Sequence, residues 1–444
     1  YKELGLTHVE PWLPSDSLDV WDRMSHLFAR DTLNTEIENF IDCNDADGCP
    51  LDCVPPTDDS GAVIPEPTET SANRYGPQPL KGGSMDRTIA FKASHGWVVS
   101  ADRSTTGLPL MAMDPKITLT APSTLYPGHW VTPQENVWGL SFPGAIAPVI
   151  FWNEHMGQTV TAYGGDIADL FELDMIGDNA YRVDGKRLEM DTRTEIIHTT
   201  NPDIQHEITI QETIFGPVAT SLLNNPPNGA VFAVRHLERD REDHTHSALA
   251  ALRASRAQSH REYQTAMNDW LIPGVHALYA GIDADTGDSH IAYYMAGGVP
   301  IRAEKFVDGL DLTGRHPYDG STSSEDWNGR LSITEKPHIV DPEQGYLFAA
   351  NNLAVGSHYD TITYLGYPDI GDTYRSYTLR NRFEMALRQP SDKLSPRDVH
   401  ELHYDATPFH LDVLTDILVE LKQRGDLGKS TNLDRPAANN KERA

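Results

Sequence analysis

Between Gly96 and Ala350 the apolar residues fall in short runs closed by Gly, Pro or Asp, and this punctuation limits the chain to folds assembled from many short strands. The runs are Gly96 to Ser100, Lys116 to Thr120, Val149 to Trp152, His206 to Glu212, His290 to Met295 and Tyr346 to Ala350. Helical spacing comes in blocks rather than in regular alternation. It covers His244 to Trp270, a pattern opened by Ser395-Pro396 that carries Val399 and Leu402, and a last stretch with Leu411, Leu414, Leu418 and Leu421. Strand runs with helices grouped between them predict α+β layering, not βαβ units. A further helix is expected at 18–28, where Val20, Met24, Leu27 and Phe28 share a face and Ser17 caps the start.

The 65 acidic and 36 basic side chains leave a formal charge of -29, which argues against nucleic acid or anionic membrane as a partner. No run of about 18 apolar residues occurs, so no helix is expected to span a bilayer. Cys43, Cys49 and Cys53 sit together in a polar loop, which suggests one disulfide with a thiol left over, and an exported protein. The acids of that loop miss the positions of an EF-hand, so a pinned turn is preferred to a metal site there. Residues 54–93 shift to Pro, Thr, Ser, Gly and acids and read as an exposed spacer, and 427–444 as a polar tail. Gly-x-Ser-x-Gly and His-Glu-x-x-His are both missing. Gly428-Lys429-Ser430 lacks the first glycine of a phosphate loop, and His244 and His246 read as solvated surface.

Ser94 stands where the spacer meets the first strand, in Lys92-Ala93-Ser94-His95-Gly96-Trp97-Val98-Val99-Ser100. By itself it is an ordinary strand entrance. If the Ala93-Ser94 bond is cut, one residue carries both a hydroxyl nucleophile and an α-amine titrating near about 7.7–8.0, which can serve as its own general base.

A spaced set surrounds it: Asp102-Arg103-Ser104-Thr105-Thr106-Gly107-Leu108-Pro109-Leu110, Asp114-Pro115, Ala121-Pro122-Ser123, Phe142-Pro143-Gly144, Trp152-Asn153-Glu154, Ala162, Asp166-Ile167-Ala168-Asp169, Asp326-Trp327-Asn328-Gly329, Gly345 to Asn352 and Tyr374-Arg375. From about Pro11 to Leu421 this order resembles the penicillin acylase family of N-terminal-nucleophile hydrolases, which includes acyl-homoserine-lactone and cephalosporin acylases. The resemblance implies a four-layer αββα sandwich. It also implies a zymogen cut at Ala93-Ser94, with 1–53 belonging to an α-chain, 54–93 to the spacer and 94–426 to the β-chain of an α/β heterodimer. Ser94 would be the nucleophile, Ala162 (backbone N–H) and Asn351 (side-chain amide) the oxyanion donors, and Arg375 the group that holds the asparagine and the serine amine. Asp166, Asp169 and the Ala168 carbonyl match a calcium loop, with Glu36 as a ligand from the other subunit and Glu38 as its alternative. Ile117, Val149 and Ile150 fall where the family lines its acyl pocket, although core packing explains them equally.

Three positions depart from the family pattern. His95 replaces the usual Asn after the nucleophile, Ala93 replaces a frequent Gly, and Lys116 replaces the His or Gln that follows Asp-Pro. A lysine so near Ser94 is expected to shift its amine, bind an acidic substrate, or mark relaxed constraint at that position. The implied function is a self-processing hydrolase of the side-chain amide of an acylated small molecule. The alternative is an inert, calcium-stabilised acidic binding or surface-structural module on the same fold. The first part of the α-chain and the last part of the β-chain look absent, so other segments or subunits are expected to complete the fold.

Overall fold

The computed structural model describes residues 93–424, apart from 118–120, 122, 134, 164, 200–203, 224–225, 238–240, 308–309, 312, 354, 356–373, 389–391 and 405–408. The helix expected at 18–28, the three cysteines, the spacer before 93 and the tail at 427–444 lie outside the described residues. The chain runs β1 (Ala93–Val99), β2 (Leu110–Lys116), β3 (Tyr126–Thr132), β4 (Glu135–Ser141), β5 (Ile150–Trp152), β6 (Met156–Ala162) and β7 (Ala168–Glu172). A largely exposed hairpin, β8 (Asp191–His198) and β9 (Gln205–Thr213), leads to β10 (Phe232–His236). Helices α1 (Arg241–Arg256) and α2 (His260–Asp269) follow, then β11 (Val275–Ile282) and β12 (Ser289–Ala296). Last come β13 (Tyr318–Asp319), β14 (His338–Val340), β15 (Tyr346–Ala349), α3 (Tyr374–Leu387), α4 (Pro396–Tyr404) and α5 (Phe409–Arg424), with several shorter strands between these elements.

A seven-stranded antiparallel sheet has the order β14-β12-β11-β6-β5-β4-β3, and a three-stranded one the order β2-β1-β15. Between them meet Val98, Leu347 and Ala349 from the smaller sheet and Leu278, Ala280, Ile291 and Met295 from the larger. Ala250, Ala251 and Ala254 of α1 and Tyr263, Ala266 and Met267 of α2 pack with Ala277, Tyr279, Ala292 and Tyr294 of the larger sheet. Trp97 and Val99 turn the other way and meet Leu379 and Phe383 of α3 and Val399 of α4. β1 is thus buried on both faces, which explains its unbroken Trp-Val-Val run. Each such large apolar side chain contributes about 1.5–3 kcal/mol on burial.

The observed elements correct three expectations. The helix expected over His244 to Trp270 is two helices, because Ser259 accepts from the Glu262 N–H at 3.3 Å and opens α2 as a cap. The strand expected from Lys116 instead ends there, having started at Leu110. α3 and the two strands at the middle of the larger sheet, β6 and β11, were not among the expected elements. The start of α4 follows its sequence signal: Ser395 and Asp398 cap each other, Ser395 N to Asp398 Oδ2 at 2.7 Å and Asp398 N to Ser395 Oγ at 3.2 Å, with Pro396 in the first turn.

Candidate active site

The register of β1 against β15 creates the central contact. Gly96 pairs with Ala349 and Val98 with Leu347, so two more residues in each direction set Ser94 opposite Asn351. There the backbone of Asn351 turns into the left-handed region at φ 59°, which Asn tolerates better than most residues. Its side chain takes over from the ladder, and the Ser94 N–H donates to Asn351 Oδ1 at 2.8 Å.

The rest of the Asn351 amide is equally committed. Its Nδ2 donates to the Ala162 carbonyl at 2.6 Å, and its Oδ1 also accepts from Arg375 Nη2 at 2.8 Å. Two donors on Oδ1 and a carbonyl facing Nδ2 leave one orientation for the amide. Arg375 further donates to the Ser94 carbonyl at 2.6 Å and the Ala350 carbonyl at 2.8 Å. Burial draws the guanidinium pKa below its ordinary value, with Asp114 opposing that shift. Ala162 ends β6, and β5 pairs with that strand only at Gln158 and Gly157, so among the described residues the edge beside Ala162 has no strand neighbour on that side. The structure therefore brings Ser94, Ala162, Asn351 and Arg375 together.

Side chains alternate along β1. Ser94 shares the parity of Gly96, where an added Cβ would lie 2.9 Å from Thr159 Oγ1 of β6, whereas His95 shares that of Trp97. The His95 ring stacks on Trp97 at 5.3 Å and lies 5.8 Å from His403 of α4. Lys116 joins this second face: its Nζ is 3.2 Å from His95 Nδ1 and pairs with Asp114. Lys116 is thus held on the face of β1 that carries His95, away from that of Ser94. Despite burial, its hydrogen bond and charge keep the Asp114 carboxyl below the usual range.

Burial, reinforced by the Lys116 and Arg375 charges and by His403 against the pull of Asp114, lowers the His95 imidazole from 6.5 to about 4. The unfolded chain takes up that proton near 6.5 while the folded one refuses it down to about 4, so unfolding binds protons in this window. The His95 contribution to stability is whole above pH 6.5 and is lost as the pH falls toward 4. The urea midpoint is expected to drop across this range, and His95→Asn should flatten the profile; an unchanged profile would remove His95 from the acid response.

Asp166 and Asp169 are 2% and 0% exposed, and a buried arginine closes on both. Arg302 Nε donates to Asp169 Oδ2 at 2.7 Å, and its Nη2 donates to the Asp166 carbonyl at 3.1 Å and stands 3.0 Å from Asp166 Oδ2. The Trp327 indole N–H also donates to Asp169 Oδ2. The approach to Asp166 Oδ2 is not aligned as a hydrogen bond, so that atom and Asp169 Oδ1 have no hydrogen-bond donor among the described residues. Burial, against the pull of Arg302, pushes the Asp166 carboxyl up to about 8. One guanidinium thus balances one carboxylate while Asp166 holds a proton, and a further cation on the two bare oxygens would displace that proton. Among the described residues no cluster of three or more ligating side chains occurs, and Glu36 and Glu38 lie outside them.

Val149 and Ile150 are buried in the largest apolar cluster, and Ile117 is half-buried just beyond β2. Sequence reasoning did not single out Arg302 or His403. Each is an isolated basic residue with no spacing signal, and only folding brings it to Asp169 or His95.

A family model described as penicillin amidase matches residues 1–441. The chain is 24% identical over 438 residues to the penicillin acylase 2 proenzyme of Pseudomonas sp. (strain SE83), covering 94% of this chain and 52% of that protein. It is 26% identical over 283 residues to the acyl-homoserine lactone acylase QuiP of Pseudomonas aeruginosa, covering 61% of this chain and 31% of that one. It thus spans about half or less of the length of these curated relatives. The solved thermostable penicillin G acylase of Alcaligenes faecalis superposes with a TM-score of 0.60 at 21% identity, over 76% of this chain and 56% of that one, which relates the folds. With the mixed α/β fold shared and the family model matched almost end to end, this chain belongs to the penicillin amidase family.

Proposed function

We propose that the chain is a self-processing acylase that hydrolyses a linear side-chain amide, with Ser94 as its N-terminal nucleophile. The observation that carries this reading is the Asn351 amide, fixed between the Ser94 nitrogen and the Ala162 carbonyl and braced by Arg375. The helix pair α1 and α2, the seven-stranded sheet, the three-stranded sheet and the pair α3 and α4 pack in that order, which supports an αββα sandwich.

In processing, Ser94 Oγ attacks the Ala93 carbonyl, its proton passes to the departing nitrogen as the C–N bond gives way to an ester with a free Ser94 amine, and water hydrolyses that ester to release the Ala93 carboxylate and restore the Ser94 hydroxyl. The nitrogen that donates to Asn351 Oδ1 as an amide is then the α-amine. The nearby Arg375 charge disfavours its protonated form and keeps it usable as a base. In turnover the Ser94 hydroxyl adds to the substrate carbonyl and passes its proton to this amine. The oxyanion is held by the Ala162 N–H and the second Nδ2 hydrogen of Asn351. Collapse sends the proton to the leaving amine, and water hydrolyses the acyl-serine with the same base. A penicillin-type or acyl-homoserine-lactone amide is the proposed substrate class, in line with the relatives' printed names. The family resemblance would put Val149, Ile150 and Ile117 at its acyl pocket, while Val149 and Ile150 also pack in the cluster of α1 and α2.

Calcium is proposed at Asp166 and Asp169, with the Ala168 carbonyl and Glu36 completing its oxygen set. Bound there, it would supply the positive charge that the two bare carboxylate oxygens lack. Its part is structural, since these residues lie on the chain that continues from Ala162 into β7.

N-terminal sequencing and intact mass of the purified protein test the reading. A terminus reading Ser-His-Gly-Trp is expected, with turnover of an acyl-amide panel, and Ser94→Ala should leave the chain uncut and inactive. An uncut, well-folded chain, or a Ser94→Ala enzyme that still turns over, would overturn it.

A further inference from the structure

His276 is a buried histidine to which the mechanism above gives no role. It sits on β11 immediately after Val275, the residue paired with Ala162, and it pairs across the strands with Thr161. Alternation puts it on the face of Leu278 and Ala280, the one that meets the nucleophile sheet. The residue is 1% exposed. Its Nδ1 lies 2.8 Å from Tyr293 Oη, and its ring faces the backbone of Asn352.

The protonation state follows from these neighbours. Burial holds the ring neutral, down to about 4, and pushes the Tyr293 phenol up, so Tyr293 keeps its proton. A neutral imidazole has one donor and one acceptor. With the phenol donating to Nδ1, the ring proton sits on Nε2. Among the described residues that atom closes no hydrogen bond of good geometry, nor do the nearby Thr161 Oγ1 and Tyr163 Oη. A donor this deeply buried is retained at a cost, and the Asn352 backbone is the acceptor it faces.

The turn above it is held from its other sides by known contacts. Asn352 Oδ1 accepts from the Ala350 N–H at 3.0 Å, and Arg375 holds Ala350 and Asn351. We propose that His276, with its tautomer set by Tyr293, is the positioning residue that supports the Asn351–Asn352 turn from the β11 side, so that the Asn351 amide stays aimed between Ser94 and Ala162. The assignment rests on the oxyanion reading of Asn351. His276 itself touches no reacting atom.

The test uses the full, self-processed chain and compares His276→Leu, His276→Gln and Tyr293→Phe. Active serine is counted by titration with a serine-directed sulfonyl fluoride, and kcat and KM are measured per titrated site on an acyl-amide substrate. His276→Leu is expected to lower kcat about tenfold with KM unchanged, which is what one neutral hydrogen bond supplies. His276→Gln, which keeps a donor, should recover most of the loss, and Tyr293→Phe should fall between them. If kcat per titrated serine stays at the wild-type value while only the unfolding temperature drops, His276 is packing alone and the proposal fails. Should His276→Leu not fold, Tyr293→Phe decides: an unchanged kcat overturns the proposal and a reduced one supports it. A wild-type chain that is neither cut nor active removes the Ser94 reading, and this assignment with it.

Discussion

Asn351→Ala is expected to lower kcat by about 10²–10³, equivalent to about 2.7–4 kcal/mol, with a small change in KM. The loss is confined to kcat because the amide meets its charge only when the substrate carbonyl becomes an oxyanion. Alanine removes Nδ2, and it also removes the Oδ1 that accepts from the Ser94 nitrogen and from Arg375. The left-handed backbone at φ 59° adds about 1–2 kcal/mol of strain for a residue without the asparagine side chain. Asn351→Asp separates these effects: it keeps the acceptors and loses the donor, and it places a carboxylate where negative charge develops. It should therefore be slower than Asn351→Ala although it is closer in shape. Both variants should also accumulate uncut precursor, since the same donors would serve the Ala93 carbonyl. Steady-state kinetics and a gel of the precursor read the two outcomes together. An Asn351→Ala enzyme within a few-fold of wild type would take the amide out of the oxyanion site.

Parts of this site were legible in the sequence, and each for a physical reason. Ser94, Asn351 and Arg375 could be singled out because serine, amide and guanidinium sit in an order of Gly, Pro, Asp and aromatic landmarks that resembles the family pattern. The β1 run was legible because a strand buried on both faces reads as continuously apolar. β6 was not, because Gln158, Thr159 and Thr161 interrupt it; these side chains are buried in the middle of the larger sheet, and Gln158 bonds to the Tyr263 hydroxyl and the Val149 carbonyl. A polar core strand has no periodicity to find. α3 was hidden by its own charges, since Arg375 is there to reach Ser94 and Ala350. Lys116 shows the remaining limit. Its distance from Ser94 along the chain is readable, but which face of β1 it serves depends on strand parity, and the fold places it with His95 and Asp114.

The largest stability effect is expected from Arg302→Leu. The guanidinium and both carboxylates it serves are essentially free of solvent, and removing one partner of such a pair costs about 3–5 kcal/mol because the other charges stay buried. Replacing Arg302 by Lys should recover little, since a point charge cannot repeat the two-sided contact of Nε with Asp169 and Nη2 with Asp166. The consequence reaches the chemistry. Asp166 is four residues beyond Ala162, on the segment that leads into β7, so a cage that swells lets the edge at Ala162, the proposed oxyanion donor, move with it. The urea midpoint and kcat are therefore expected to fall together in Arg302→Leu, whereas Arg302→Leu with Asp169→Asn should regain part of the midpoint by discharging one carboxylate. Calcium should raise the midpoint of the wild type, and raise it further in Arg302→Leu, where two buried carboxyl groups have lost the guanidinium that pairs with both. If neither protein responds to calcium or to its chelation, the two aspartates serve the arginine alone and calcium has no place at this site.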